Sequence, residues 1–260
     1  MKIVVCIKQV PDTTEVKIDP VKHTLIREGV PSIMNPDDKG GLELALRLKD
    51  QCGAEVTVIT MGLPQADAIL REAFAMGADK AVLLTDRALG GADTLATSHA
   101  LAGAVATLGY DLIITGRQAI DGDTAQVGPE IAEHLGIPQV SYVVDLEVKG
   151  ENQYEVKKET EEGYEILDVE GPALLTALAS GFDARYMSVG GIVDAFDKEV
   201  MVWGADKINV DLEKLGKKGS PTNVAKSFTK ETKAAGQLYE LEPEQAVDVI
   251  IAKMKEKFII

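Results

Sequence analysis

Two cysteines and three histidines are all that 260 residues carry. Cys6 and Cys52 supply neither a disulfide framework nor a zinc spacing. His23, His99 and His134 fall in no metal-ligand pattern, and no Ser/His/Asp or Cys/His catalytic set is present. No apolar run reaches the ~18 residues that a membrane helix needs. No leader-like segment opens the chain, because Met1-Lys2-Ile3-Val4-Val5 enters a strand pattern at once, and a cytoplasmic location is therefore expected. Basic residues are scarce: 27 Lys+Arg stand against 42 Asp+Glu, a net charge of −15. That balance argues against nucleic acid as a main partner. Neither a Walker A loop nor a GxGxxG turn occurs, and there is no internal repeat.

Hydrophobic residues make up 45% of the chain, enough for one large domain with an extension. Strand and helix patterns alternate from the start to about residue 145. Strands are expected at Ile3–Ile7, Glu55–Thr60, Lys80–Leu84, Asp111–Thr115 and Gln139–Val148. Between them lie four helical patterns. Asn35-Pro36 reads as an N-cap with proline at N1, opening a helix through Lys49. Pro64–Met76 follows, then an Ala-rich helix capped by Asp93 and closed by Gly109, then Val127–Leu135. This predicts an α/β fold with a doubly wound, mostly parallel sheet. With strand order 3-2-1-4-5, ligands belong at the carboxyl ends of the strands, where the order reverses. The polar ends that meet there are Cys6-Ile7-Lys8-Gln9, Met61-Gly62, Thr85-Asp86 and Thr115-Gly116-Arg117. Cys6 lies in an apolar run, the setting of a buried structural thiol.

The stretch 115–128, Thr-Gly-Arg-Gln-Ala-Ile-Asp-Gly-Asp-Thr-Ala-Gln-Val-Gly, is the most informative. It joins a strand to a helix, and such a loop aims backbone N–H groups and a helix N-terminus at an anion, usually phosphate. Asp121-Gly122-Asp123 does not start an EF-hand, which needs an oxygen ligand where Ala125 stands, Gly at Gln126 and Glu at Ala132. Asp37 and Asp38, in a first helical turn, complement the helix dipole. Beyond residue 145 the pattern changes. Gln153–Lys158 and Tyr164–Val169 form an antiparallel hairpin, and Pro172–Thr176 is a short buried strand. Leu215–Gly236 is Lys/Ser/Thr/Gly-rich and reads as an arm without its own core. Pro243–Phe258 is an amphipathic helix. The expected division is residues 1–205 as the α/β domain and 206–260 as a C-terminal arm and helix that pack on a partner subunit.

These residues resemble the beta subunit of electron transfer flavoprotein. The likeness rests on Val156, Lys158, Glu161, Glu165 and Leu167 of the hairpin with Pro172 and Thr176 beyond it. It rests also on the loop Gly116–Gln126, on Met34-Asn35-Pro36, on Ala75-Met76-Gly77-Ala78-Asp79 and on Arg185-Tyr186. The resemblance implies an adenine-nucleotide-binding, Rossmann-like domain that pairs with a larger, FAD-carrying alpha subunit. It implies a nucleotide site at Cys6, Ile7, Lys8, Asn35, Asp38, Met61 and Gly62, and at Gly116, Arg117, Gln118, Ala119, Gly122, Asp123, Thr124, Ala125, Gln126 and Val127. Ordinary members hold a structural AMP there, and electron-bifurcating members hold a second FAD.

Three segments look like the bifurcating branch: Gly90-Gly91-Ala92-Asp93-Thr94, Val30–Pro36 and Val189–Phe196. A Gly-Gly turn allows a flat ring to approach. Asp93, Thr94 and Thr97, at a helix start, are placed to hydrogen-bond an isoalloxazine, although Asp93 is equally an ordinary N-cap. The implied activity belongs to an oxidoreductase subunit of anaerobic metabolism that acts only with its alpha partner. NADH reduces the beta-subunit FAD. One electron passes to ferredoxin or flavodoxin, the other to the alpha-subunit FAD and on to an acyl-CoA dehydrogenase. Arg117 is the cation for a pyrophosphate or an anionic flavin. Docking to the dehydrogenase falls to the loop Met187–Gly191, with Val189 at the anchor where ordinary members present leucine.

Overall fold

The computed structural model describes residues 1–12, 17–18, 25–26, 31–225 and 236–260. Pro20, His23, Val30 and residues 226–235 of the expected arm lie outside the described residues. Met1–Lys226 form one compact unit and Ser227–Ile260 a second. In chain order the elements of the first unit are β1 (Lys2–Cys6), β2 (Gln9–Pro11), β3 (Lys17–Ile18), β4 (Leu25–Ile26), β5 (Ser32–Met34), α1 (Pro36–Cys52), β6 (Glu55–Met61), α2 (Asp67–Met76), β7 (Lys80–Leu84), α3 (Thr94–Leu108), β8 (Leu112–Gly116), α4 (Val127–Leu135), β9 (Gln139–Gly150), β10 (Gln153–Thr160), β11 (Gly163–Glu170), β12 (Ala173–Ala177), α5 (Val189–Asp197), β13 (Val200–Trp203) and α6 (Gly216–Gly219). The second unit contains α7 (Pro243–Glu256).

Nine strands make one sheet in the order β11-β10-β9-β12-β8-β1-β6-β7-β13. Neighbours from β9 to β13 run parallel, and β10 and β11 add an antiparallel extension. The continuous apolar run of β1 is explained by its two covered faces. Ile3, Val5 and Ile7 pack in the core shared with α1, α2 and α5, whereas Val4 and Cys6 join the core beneath α3 and α4. The expected α/β class, the hairpin and the terminal helix are all present.

The strand order differs from 3-2-1-4-5. Ala173–Ala177, every residue buried, inserts between β8 and β9, so the fifth strand is displaced by one place. Five residues buried on both faces belong at the centre of the sheet, but nothing local in the sequence says which two strands they separate. A second difference concerns Met187–Gly191. Ser188 accepts a hydrogen bond from Gly191 N at 2.9 Å and caps a helix that begins at Val189, so only its first residues are loop. A third is β13, a parallel edge strand on β7 that the pattern did not reveal. Arg185 ties the segment before α5 to α1: its Nε donates to the buried Glu43 at 2.8 Å and its Nη2 to Asp50 at 2.8 Å. Burial would raise the Glu43 carboxyl, but the Arg185 guanidinium holds it below the ordinary range.

Composition misled at the start of the Lys/Gly-rich stretch. Leu215 is buried in the same core as Val4 and Leu89, and the residues that follow are held by backbone bonds rather than apolar side chains. In the second unit α7 buries none of its residues, leaving Val247, Ile250 and Ile251 exposed on one stripe. Among the described residues, no helix is long and apolar enough to cross a membrane.

Candidate nucleotide site

A cavity of about 420 Å³ opens at the carboxyl ends of β1, β6 and β8, where the strand order reverses. Its polar wall is the loop after β8. Asn35 was expected to cap α1. It stands at the cap position, but its side chain makes no capping bond. Instead the fully buried amide grips the loop, Nδ2 donating to Gln118 O at 2.8 Å and Oδ1 accepting from Ile120 N at 3.0 Å.

Asp38 is the second fastening. Its carboxylate accepts from Lys8 N at 2.8 Å and from Gly116 N at 3.0 Å, so one side chain joins the ends of β1 and β8 to α1. Burial pushes its pKa up to about 7 against the pull of those two donors. Gly116 is the residue this approach requires, because a Cβ there would lie 2.3 Å from Asp38 Oδ1 and 2.6 Å from Asp38 N. Asp37 accepts from Ala179 N at 2.9 Å and its other oxygen lies 3.3 Å from Arg117 Nε. That last pair is an ion pair without hydrogen-bond geometry, since the buried Nε has no hydrogen-bond partner among the described residues. Both aspartates therefore do more than complement a helix dipole.

Asp123 and Ala125 hold positive φ, 56° and 53°. For alanine that conformation costs about 1–2 kcal/mol, a strain borne where the loop turns into α4. The first N–H groups of α4, at Val127 and Gly128, have no partner within the helix and stand at the cavity. Lys8 Nζ is drawn onto Asp121 at 2.8 Å, and Gln118 Nε2 onto Asp123.

The opposite wall is the turn before α3. Gly91, Ala92, Asp93, Thr94 and Thr97 line it, with Leu89, Leu101, Ile59 and Met61 as an apolar floor. Asp93 is an N-cap, accepting from Ala96 N at 3.0 Å, and its other oxygen accepts from Thr222. Thr94 Oγ1 lies 3.0 Å from Gln126 Oε1 and 3.2 Å from Glu130 Oε1, bridging the starts of α3 and α4. Cys6 lies in the floor as a buried thiol, pushed up to about 12 by burial and by the nearby Asp38 charge. At that value it is inert as a nucleophile.

A model of the electron transfer flavoprotein domain matches residues 22–208. The electron transfer flavoprotein subunit beta of Clostridium acetobutylicum is 62% identical over 260 residues, covering all of both chains. The chain belongs to the electron transfer flavoprotein beta-subunit family. It is also 50% identical over 263 residues to the caffeyl-CoA reductase-Etf complex subunit CarD of Acetobacterium woodii, covering both chains in full. To the acryloyl-CoA reductase electron transfer subunit gamma of Anaerotignum propionicum it is 43% identical over 269 residues, again across both chains.

Nearly all the residues expected to bind the nucleotide line the cavity: Cys6, Ile7, Lys8, Asp38, Met61, Asp93, Thr94, Thr97, Gly116–Ala119, Gly122 and Thr124–Val127. Asn35, Gly62 and Asp123 do not. Asn35 acts from behind the loop, Gly62 N is engaged by Leu84 O at 3.1 Å, and Asp123 holds Gln118. Sequence reasoning missed Ile59, Leu89 and Leu101 as lining, since apolar residues in a strand, a turn and a helix read as core. Val189 stands on α5 with Val193 and Phe196 in one stripe, exposed 82%, 62% and 72%, well away from a buried loop position.

Proposed function

We propose that this chain is the FAD-bearing beta subunit of an electron-bifurcating electron transfer flavoprotein. The observation that carries the reading is the reach of the cavity's lining beyond the nucleotide loop. The lining does not end at that loop but runs on to Gly91–Thr97 over a floor of Leu89, Leu101, Ile59 and Met61. AMP would occupy the loop half and leave that apolar extension without an occupant, whereas an isoalloxazine is a flat apolar ring with a polar edge, suited to it. FAD, when bound, supplies acceptance of a hydride from NADH and separate release of the two electrons. The chain's residues would position it. The N-terminus of α4 and Arg117 would face the pyrophosphate. Asn35 and Asp38 would keep the loop in place, and Thr94 and Thr97 would offer hydroxyls to the ring edge.

One electron would pass to ferredoxin or flavodoxin, the other to the alpha-subunit FAD and an acyl-CoA dehydrogenase. The structure ties the residues up to Thr222 to the first unit, so the arm begins later than residue 206. The second unit, with the exposed stripe of α7, would pack on the alpha subunit. The Val189–Phe196 stripe would meet the dehydrogenase; valine there is smaller than leucine, which sets partner choice. The setting would be the cytoplasm of an anaerobic cell. Anaerobic titration of the purified two-subunit complex with NADH, without acyl-CoA or dehydrogenase, tests this. The oxidised-flavin band is expected to bleach progressively, each NADH supplying the two electrons that fully reduce one of the two FADs. A band that NADH leaves untouched sinks the reading. Val189→Glu is expected to leave that bleaching unchanged while slowing electron delivery to the dehydrogenase about tenfold, the scale of one lost apolar anchor.

A further inference from the structure

The cavity wall at Gly90–Asp93 is not self-supporting. A segment more than 120 residues later, Gly216–Thr222, is laid across it. Lys217 N donates to Gly90 O at 3.0 Å. Ser220 Oγ accepts from Asp93 N at 2.8 Å and donates to Gly216 O at 2.8 Å. Thr222 donates twice to Asp93 Oδ2, from its N at 3.1 Å and from its Oγ1 at 2.8 Å. The approach is backbone on backbone. Gly216 has φ +54°, and a Cβ on it would lie 2.1 Å from Ala88 O and 3.0 Å from Gly90 O. Only glycine fits there, so the crossing is written into the sequence. Partial burial would raise the Asp93 carboxyl, but the donors from Ala96 and Thr222 hold it below the ordinary range.

We propose that Ser220 and Thr222 are positioning residues of the nucleotide site: through Asp93 they latch the wall against which the cofactor's far half would lie. Neither lines the cavity. Their effect passes through Asp93, which does, and whose carboxylate without the latch keeps the cap bond from Ala96 N, its carbonyl being held separately by Thr97 N. Thr222 stands four residues before the end of the first unit, so the last part of this unit closes the site that its first residues open. The inference rests on the FAD reading for the identity of the ligand, but the latch acts on whichever nucleotide reaches Gly91–Thr97.

The test compares wild-type, Thr222→Val, Thr222→Ser and Ser220→Ala in the full two-subunit complex. Three quantities are read: nucleotide release after dilution, hydrogen exchange in peptides covering residues 88–93, and visible circular dichroism of the bound flavin. Thr222→Val is expected to speed release about tenfold, the low end of the scale of one lost hydrogen bond to a charged group. It should also raise exchange at 88–93 and alter the flavin spectrum. Ser220→Ala should act likewise, and Thr222→Ser should restore all three. A Thr222→Val complex with wild-type release, exchange and spectrum overturns the latch. So does a variant that only lowers the melting temperature. If the site proves to hold AMP, that counts against the proposed function, and hydrogen exchange at 88–93 then reads the latch by itself.

Discussion

Asp38→Ala is expected to destabilise the first unit by about 3 kcal/mol or more. The substitution leaves the N–H groups of Lys8 and Gly116 without their acceptor, and each unpaired buried donor costs roughly 1–3 kcal/mol. In a unit of this size that is a fall of about 6–12 °C in melting temperature. Asp38→Asn keeps the shape but sets an amide donor against one of the two N–H groups, so about half the loss is expected. The pH dependence has a definite sign. The folded-state pKa is raised from 3.8 to about 7, so the folded chain binds this proton more readily than the unfolded chain. The stability linked to Asp38 is fully present below 3.8 and is lost as pH rises through about 7. Asp38→Asn does not titrate, so its deficit relative to wild type should widen as pH is lowered from 8 to 5. Chemical denaturation at several pH values measures it; a deficit that narrows on acidification contradicts the assignment.

Gly116→Ala is expected to do more damage at the site than to the fold as a whole. Its Cβ would press on Asp38 Oδ1 at 2.3 Å and on backbone atoms of Asp37 and Asp38 at 2.6–2.7 Å. Backbone cannot rotate aside, so α1 and β8 must part, and overpacking of this kind costs about 1–3 kcal/mol or more. The parting also breaks the Gly116 N bond to Asp38 and moves the loop that Asn35 holds. Nucleotide affinity should fall at least a hundredfold, read by equilibrium dialysis of the complex. Gly190→Ala on α5 is the control, because a Cβ there meets nothing within 4 Å and Gly190 does not line the cavity. Equal losses in the two variants would show that the contact with Asp38 is irrelevant.

These effects show what sequence reading reaches and where it stops. The apolar run Ile3–Ile7 and the helix starts at Pro36 and Asp93 are local signals, and the structure places elements there. The convergence of Cys6–Lys8, Met61 and Gly116–Val127 follows from alternation and the switch-point rule once β1 and β8 are neighbours, the part of the expected strand order that the structure keeps. The insertion of β12 between β8 and β9 is not legible in this way: Ala173–Ala177 carries the same apolar signal whichever neighbours it takes. Asn35 shows a subtler limit. Asn-Pro at a helix start has a strong local meaning, and only the loop lying 83–85 residues further on reveals that the amide serves it instead. The crossing of Gly216–Thr222 was hidden for the opposite reason. A Lys/Gly-rich segment has little apolar signal, and its order comes from a backbone bond to Gly90 and from the bonds of Ser220 and Thr222 to Asp93, which composition does not register.

The occupant of the cavity is the point on which the functional reading turns. On the proposed reading the loop 115–128 would accept an adenine nucleotide of either kind, and the difference would lie across the cavity at Gly91–Thr97. Acid extraction of the purified two-subunit complex, followed by chromatographic quantification of its nucleotides, decides it. Two FAD and no AMP per complex is the predicted result; one FAD with one AMP would contradict it.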